Sequence, residues 1–170
     1  MIKESRVTTL KIRKTPALLL LLANTSIAAA DWQANVIAHC TQLVHDYAYY
    51  RDRFDADGYS NLFTKDGELV FPGNESFKGR ETLRNRIHAG SGKEVSHHHM
   101  STIKIFPIDD SHATGVSYLY ILQAPASETE GPLTAEKFAA AEYHDRFLRS
   151  DDGWKFQRRE IKIIFQPAHQ

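Results

Sequence analysis

The hydrophobic period of this chain changes once, and that change limits what it can fold into. Between residues 34 and 54 the apolar side chains are Val36, Ile37, Cys40, Leu43, Val44, Tyr47, Tyr50 and Phe54. Steps of three and four predict an amphipathic helix over 34–54, about five turns long. From Val95 onward apolar and polar residues alternate, which predicts strands over 95–106, 113–123, 137–149 and 154–165. A helical first half followed by a strand meander implies an α+β fold, with helices covering one face of an antiparallel sheet. If that sheet curls strongly, its concave face and the helices enclose a pocket.

Shorter elements join the two halves. Asp55-Ala56-Asp57-Gly58 breaks the long helix, and Asp57 is the expected cap of a short second helix ending near Phe63. Lys65-Asp66-Gly67 reads as a turn leading into a brief strand over 68–71, stopped by Pro72-Gly73. A third helix fits 79–89, with Leu83 and Ile87 inward and Arg80, Arg84 and Arg86 outward. Asp109-Asp110 and Asp151-Asp152-Gly153 are hairpin turns. The longer connection over 124–135 carries two prolines and reads as an exposed loop.

The formal net charge of zero conceals two unlike segments. The first 30 residues hold Lys3, Arg6, Lys11, Arg13 and Lys14 against Glu4 alone, a net of +4, and the remaining 140 carry −4. A basic flank, an apolar run from Ala17 to Ala23 and an Ala-Ala-Ala ending at Ala30 follow the pattern of a secretory signal peptide. The expectation is cleavage after Ala30, leaving one exported domain over 31–170 that is periplasmic or secreted and has no membrane association. Without a basic excess, the domain is not expected to bind nucleic acid. A single cysteine excludes an internal disulfide, and Cys40 falls on the apolar face of the long helix, where a buried, inert thiol is expected.

Several polar residues admit both a functional and a structural reading. Asp52 can be an acid–base partner, or only a capping or salt-bridging residue at a helix end. Three consecutive histidines, His97-His98-His99, put at least one ring on each face of a strand. His97 and His99 share a face and could chelate a metal with His112 or His144, but no paired-ligand signature accompanies them, and a surface cluster fits better. Asp145 and Arg159, on neighbouring strands of a hairpin, read as a structural cross-strand ion pair. The chain has no phosphate-binding glycine loop, no G-x-S-x-G elbow and no Cys-x-x-Cys pair.

Four stretches, in order, carry a resemblance. They are Tyr47-Ala48-Tyr49-Tyr50-Arg51-Asp52-Arg53-Phe54-Asp55 with Leu62-Phe63 and Asp66; Phe77-Lys78-Gly79-Arg80-Glu81; His97-His98-His99-Met100-Ser101-Thr102; and Tyr143-His144-Asp145-Arg146-Phe147 with Asp152-Gly153-Trp154-Lys155 and Arg159. In this order the chain resembles the nuclear transport factor 2-like superfamily, and within it the SnoaL-like branch that includes polyketide cyclases and scytalone dehydratase. The resemblance implies a cone-shaped, curved antiparallel sheet with N-terminal helices on its concave face, a mostly apolar cavity, and commonly a homodimer formed through the sheet. It also implies that Asp52 and His98 are an acid–base pair working without metal or other cofactor. Beside Asp52, the imidazole would have a fixed tautomer and a raised pKa. Tyr47, Tyr49, Tyr118 and Tyr143 are the candidate substrate-binding residues.

The match to the dehydratase is incomplete. Arg51 and Phe71 stand where that enzyme has active-site tyrosines, Ala141 and Tyr143 where it has a serine and an asparagine, and Thr102 where an asparagine is common. The strand over 115–123 has no counterpart of its second histidine. The expectation is therefore a small hydrophobic or aromatic ligand that is not scytalone-like, with dehydration or isomerisation as the reaction. The alternative is a non-catalytic binding or accessory protein using the same cavity.

Overall fold

In the computed structural model, residues 17–126 and 132–166 are described, with side chains from Asp31 onward. The basic flank of the expected leader, Lys3 to Lys14, and the centre of the loop over 124–135 lie outside the described residues. The first helix, α1, runs Ala17–Asp52, and the apolar remainder of the leader is continuous with it as helical backbone. Among the described residues, no helix is long and apolar enough to cross a membrane.

Along α1, Val36, Cys40, Leu43, Val44, Tyr47 and Ala48 are buried, the i, i+4, i+7, i+8 spacing of one helical face. Ile37, expected on that face, is 42% exposed. The helix stops at Asp52 because Phe54 adopts left-handed backbone, φ +53°. Asp55 N then donates to Tyr50 O and Phe54 N to Arg51 O, a Schellman closure made without glycine. The Arg51 guanidinium lies 4.8 Å from the Phe54 ring centroid, helping to hold that ring.

Asp55, not Asp57, caps α2 (Ala56–Asn61), its Oδ1 accepting from Gly58 N at 2.8 Å. The Schellman closure sets Asp55 one residue before the new helix, and Asp57 instead pairs with Arg84 at 2.7 Å. The first strand, β1 (Phe63–Val70), begins five residues earlier than its sequence suggests and absorbs Lys65-Asp66-Gly67 as an irregularity in pairing. It continues through a 3-10 turn (Pro72–Asn74) to β2 (Ser76–Lys78), which the sequence reading lacked. Helix α3 (Arg80–Gly90) buries Leu83 and Ile87 as expected. Arg80 and Arg86 do not point freely to solvent. Arg80 Nε donates to Phe63 O at 2.7 Å, and Arg86 stacks over Phe71 and Phe77.

The four long strands are β3 (Glu94–Pro107), β4 (His112–Pro125), β5 (Lys137–Ser150) and β6 (Gly153–Phe165). The sheet order is β2-β1-β6-β5-β4-β3, all antiparallel except for the parallel β1–β6 pair. That one parallel contact departs from the expected fully antiparallel sheet. It arises because α1 and α2 precede β1, which reaches the sheet beside the last strand. Register shifts between Ser101 and Lys104, Ala140 and Ala141, and Arg146 and Phe147 interrupt the ladders. Such bulges bend and twist strands, which gives this open six-stranded sheet its curvature. Alternation sends Ser96 and His98, Ser117 and Leu119, then Ala141, Tyr143, Asp145 and Phe147 to the inner face, under α1.

Candidate functional site

Asp52 is the last residue of α1, and His98 lies on the inner face of the edge strand β3 against which α1 packs. The two meet there. His98 Nδ1 is 2.5 Å from Asp52 Oδ1, and the His98 backbone N–H donates to Oδ2 at 2.8 Å. Ser96, two residues earlier on the same face of the strand, donates its hydroxyl to Oδ1 at 3.1 Å. Three donors orient one carboxylate. The His98 side chain is only 5% exposed and that of Asp52 13%.

These surroundings set the charge on each partner. Burial alone would push the Asp52 carboxyl up, but the hydrogen bonds from His98 and Ser96 outweigh it and hold Asp52 below the ordinary carboxylate range. Burial is also the largest influence on His98, and with the positive charges of Arg51 and Arg159 it outweighs Asp52 and lowers the imidazole pKa. This corrects the expectation of a raised value: a ring this enclosed loses more by desolvating its cation than one carboxylate returns. At neutral pH the pair is therefore carboxylate and neutral imidazole. With Asp52 ionised, Nδ1 carries the proton and Nε2 is the basic nitrogen.

The pair opens into a cleft of about 480 Å³ between the end of α1 and β3, lined by Ala48, Tyr49, Asp52, Arg53, Val95, Ser96, His97 and His98. Of the four tyrosines expected to bind substrate, only Tyr49 lines this cleft, 53% exposed. Tyr47 is buried behind His98, its ring edge-on at a centroid distance of 6.4 Å. Tyr143 is buried beyond it, 5.5 Å from the Tyr47 ring. Burial raises the Tyr143 hydroxyl well above the usual phenol range, so it stays protonated. Tyr118 lies on the opposite face of the sheet, 45% exposed, because the two-residue period turns Ser117 and Leu119 inward and Tyr118 outward. Its expected place in the cavity is thus corrected.

Behind the pair the cone is filled with aromatic rings around a buried charge. Arg159 is fully buried and grips Asp145 by two bonds of 2.8 and 2.7 Å. Its guanidinium lies 4.1–4.4 Å from the ring centroids of Phe156, Tyr47 and Tyr143. The cross-strand ion pair read from the sequence is real, but it forms the centre of the core and not an exposed rung. Arg159 Nη1, Ser117 Oγ and Tyr59 Oη are buried there without a hydrogen-bond partner among the described residues. Cys40 is buried at the same level, its thiol pushed up to about 12 by burial and by the Asp145 charge, which leaves it unreactive.

Of the other candidate histidines, His97 reaches the edge of the cleft and the rest lie elsewhere. His97 and His99 are exposed on the outer face with ring centroids 4.7 Å apart, while His112 and His144 hydrogen-bond Asp109 and Glu142. No cluster of three metal-ligating side chains forms among the described residues. The sequence reading missed Ser96 and Arg53. The first was detectable as the residue two positions before His98 on one strand face; nothing in the sequence marks the second.

Solved structures share this architecture. A scytalone dehydratase candidate from Novosphingobium aromaticivorans aligns over 83% of this chain and 92% of its own, with a TM-score of 0.70 at 22% identity. An NTF2-like protein with a cystatin-like fold from the same organism aligns over 85% and 92%, at 0.66 and 21%. A hexachlorocyclohexane dehydrochlorinase from Novosphingobium barchaimii aligns over 80% and 91%, at 0.67 and 15%. At these identities the likeness is one of fold. No curated protein sequence matches the chain. The model of the SnoaL-like domain, however, matches residues 32–160, from the exposed start of the helical face through the strand that carries Arg159, and this chain belongs to that family.

Proposed function

We propose that the chain is an exported, cofactor-independent acid–base catalyst that removes a proton from a small hydrophobic molecule and eliminates a neighbouring group. The observation that carries this reading is the His98 ring held by Asp52 through Nδ1 beside the cleft, which makes Nε2 the basic nitrogen of a ring whose charging is disfavoured by burial. In the proposed step Nε2 takes a proton from carbon, and the C–H electron pair becomes the new double bond. The leaving group on the adjacent carbon departs with its own bonding pair. If it is hydroxide, the imidazolium returns its proton and water leaves; if it is halide, the proton passes to solvent. The carboxylate stabilises the transient imidazolium. Protons and electron pairs move without any change in overall oxidation level, so the step calls for no redox group. The dehydratase and dehydrochlorinase among the similar structures are named for eliminations, which supports this class over isomerisation.

Export rests on the basic flank and apolar run of the first 30 residues. A homodimer is proposed through the outer face of the sheet, where Tyr118, Tyr120, Phe138 and Phe165 are 45–68% exposed. Non-catalytic binding is the second reading. It is favoured by the Ser96 hydroxyl being engaged by Asp52, so that it is not free to polarise a substrate.

The test is turnover of cyclic β-hydroxy ketones (water loss) and chlorinated cyclohexanes (HCl loss). On whichever class reacts, His98→Gln is expected to lower kcat by about 10²–10⁴ with the circular dichroism spectrum unchanged. An unaffected rate overturns catalysis by the pair. Absence of turnover, with a hydrophobic ligand bound and recovered intact, supports binding alone.

A further inference from the structure

Arg53 stands out among the arginines near the cleft. Arg51 pairs with Glu94 at 2.8 Å, Arg84 with Asp57 at 2.7 Å and Arg159 with Asp145. Arg53 lines the cleft and forms no ion pair among the described residues. Its neighbour Asp52 forms no ion pair with it; the contacts of that carboxylate are with His98 and Ser96. Nor is the guanidinium a loose surface group. It stacks on the Tyr49 ring, 3.7 Å from the centroid, and Nη1 donates to Tyr49 O at 3.2 Å.

That carbonyl bond is what a cation at a helix C-terminus ordinarily makes, and it accounts for one of the five N–H donors. The rest of the planar fork is held in place on the aromatic face. A stacked guanidinium presents its remaining donors in its own plane, the arrangement that grips a carboxylate through two parallel bonds. Beside it the apolar part of the lining is the Tyr49 ring, 53% exposed, and Ala48.

We infer that the cleft recognises a planar carboxylate, its anion held by Arg53 and its ring or conjugated body lying against Tyr49. This deepens the proposed function by naming the substrate class of the same site. A carboxylate anchored on Arg53 leaves the rest of the molecule in the cleft that Asp52 and His98 also line. The charge also separates this class from neutral chlorinated or ketonic substrates, which offer Arg53 no anion.

The experiment is a titration of the full chain with 2-naphthoate and with naphthalene-2-carboxamide, which has the same body without the charge. Ring signals of Tyr49 and His98 are followed by NMR. Naphthoate is expected to bind at least tenfold more tightly than the amide, and to weaken with added salt. Arg53→Gln, a change at an exposed residue, should abolish that preference by weakening the acid far more than the amide. Tyr49→Leu should weaken both ligands, and the acid more, because it also frees the Arg53 guanidinium. Equal affinities for acid and amide in the unaltered chain, a preference that survives Arg53→Gln, or indifference of both ligands to Tyr49→Leu each overturns the inference. The readout is binding, so its failure is distinct from failure of the elimination. His98-dependent turnover of a neutral substrate, with no preference for naphthoate, would leave the proposed reaction standing and remove only this substrate class.

Discussion

His98 is pulled in two directions, and the side that wins decides how the protein responds to pH. Burial lowers its pKa more than Asp52 raises it, so the ring is neutral when folded and titrates below the ordinary value of about 6.5. Asp52 is lowered as well. For both groups the unfolded chain binds protons more readily, so their contribution to stability is full above the unfolded pKa values and is lost as pH falls through the folded ones. The melting temperature should therefore decline as the solution is acidified from pH 7 towards pH 4. A chain whose stability rises over that interval would contradict the assignment. In an NMR titration Asp52→Asn should move the His98 midpoint lower still, because the one group raising it has gone. A higher midpoint in that variant would mean that the carboxylate does not stabilise the ring cation. Ser117 gives a separate test at this scale. Its hydroxyl is buried without a partner among the described residues, so Ser117→Ala removes a desolvated polar group at little packing cost. The variant should be as stable as the parent or more stable by about 1 kcal/mol in chemical denaturation. A loss of more than that would show that the hydroxyl has a partner in solution.

At the scale of elements, the site depends on how α1 ends and how β1 begins. The end of α1 was read to within two residues, but neither the way it closes nor the start of β1 was legible, because the usual residue cue was missing or misleading. Helix ends are ordinarily marked by glycine, and here Phe54 takes the left-handed position, held by contacts that a linear reading does not reveal. Lys65-Asp66-Gly67 looks like a turn, yet Gly67 is there for close approach inside a strand. A Cβ at that position would lie 2.8 Å from Phe63 Cβ and 2.9 Å from Phe156 O. Gly67→Ala must shift backbone, and it is expected to cost about 1–3 kcal/mol of stability in urea unfolding. A change below about 0.5 kcal/mol would mean that β1 is not packed against β6 at this point. Where the cues were sound, the elements followed them. The 3.6-residue face of α1, the Leu83–Ile87 face of α3 and the four long alternating strands all lie within a few residues of where their patterns put them.

For the whole molecule, the sheet has two faces with different fates. The inner face is sealed by α1 and filled with rings around Arg159. The outer face carries Tyr118, Tyr120 and Phe138 in the open, with Tyr120 and Phe138 rings 6.4 Å apart. If that face joins two copies, the chain should sediment at twice its mass, and a Tyr120→Lys, Phe138→Lys double variant should sediment as a folded monomer. A monomeric parent at micromolar concentration would dismiss the dimer. Periodicity and the order of elements were enough to derive an α+β fold with a concave face under a helix, because alternation and helical spacing are local properties of the chain. The resemblance to the SnoaL-like family, not periodicity, brought Asp52 and His98 forward as candidates. What local pattern could not decide was set by the tertiary structure: which face each ring occupies, that His98 is neutral, that Arg159 is buried, and that Arg53 beside the cleft forms no ion pair among the described residues. Each of these depends on desolvation and on partners up to about a hundred residues away in the chain, and such long-range terms appear only once the sheet has curved and closed against its helices.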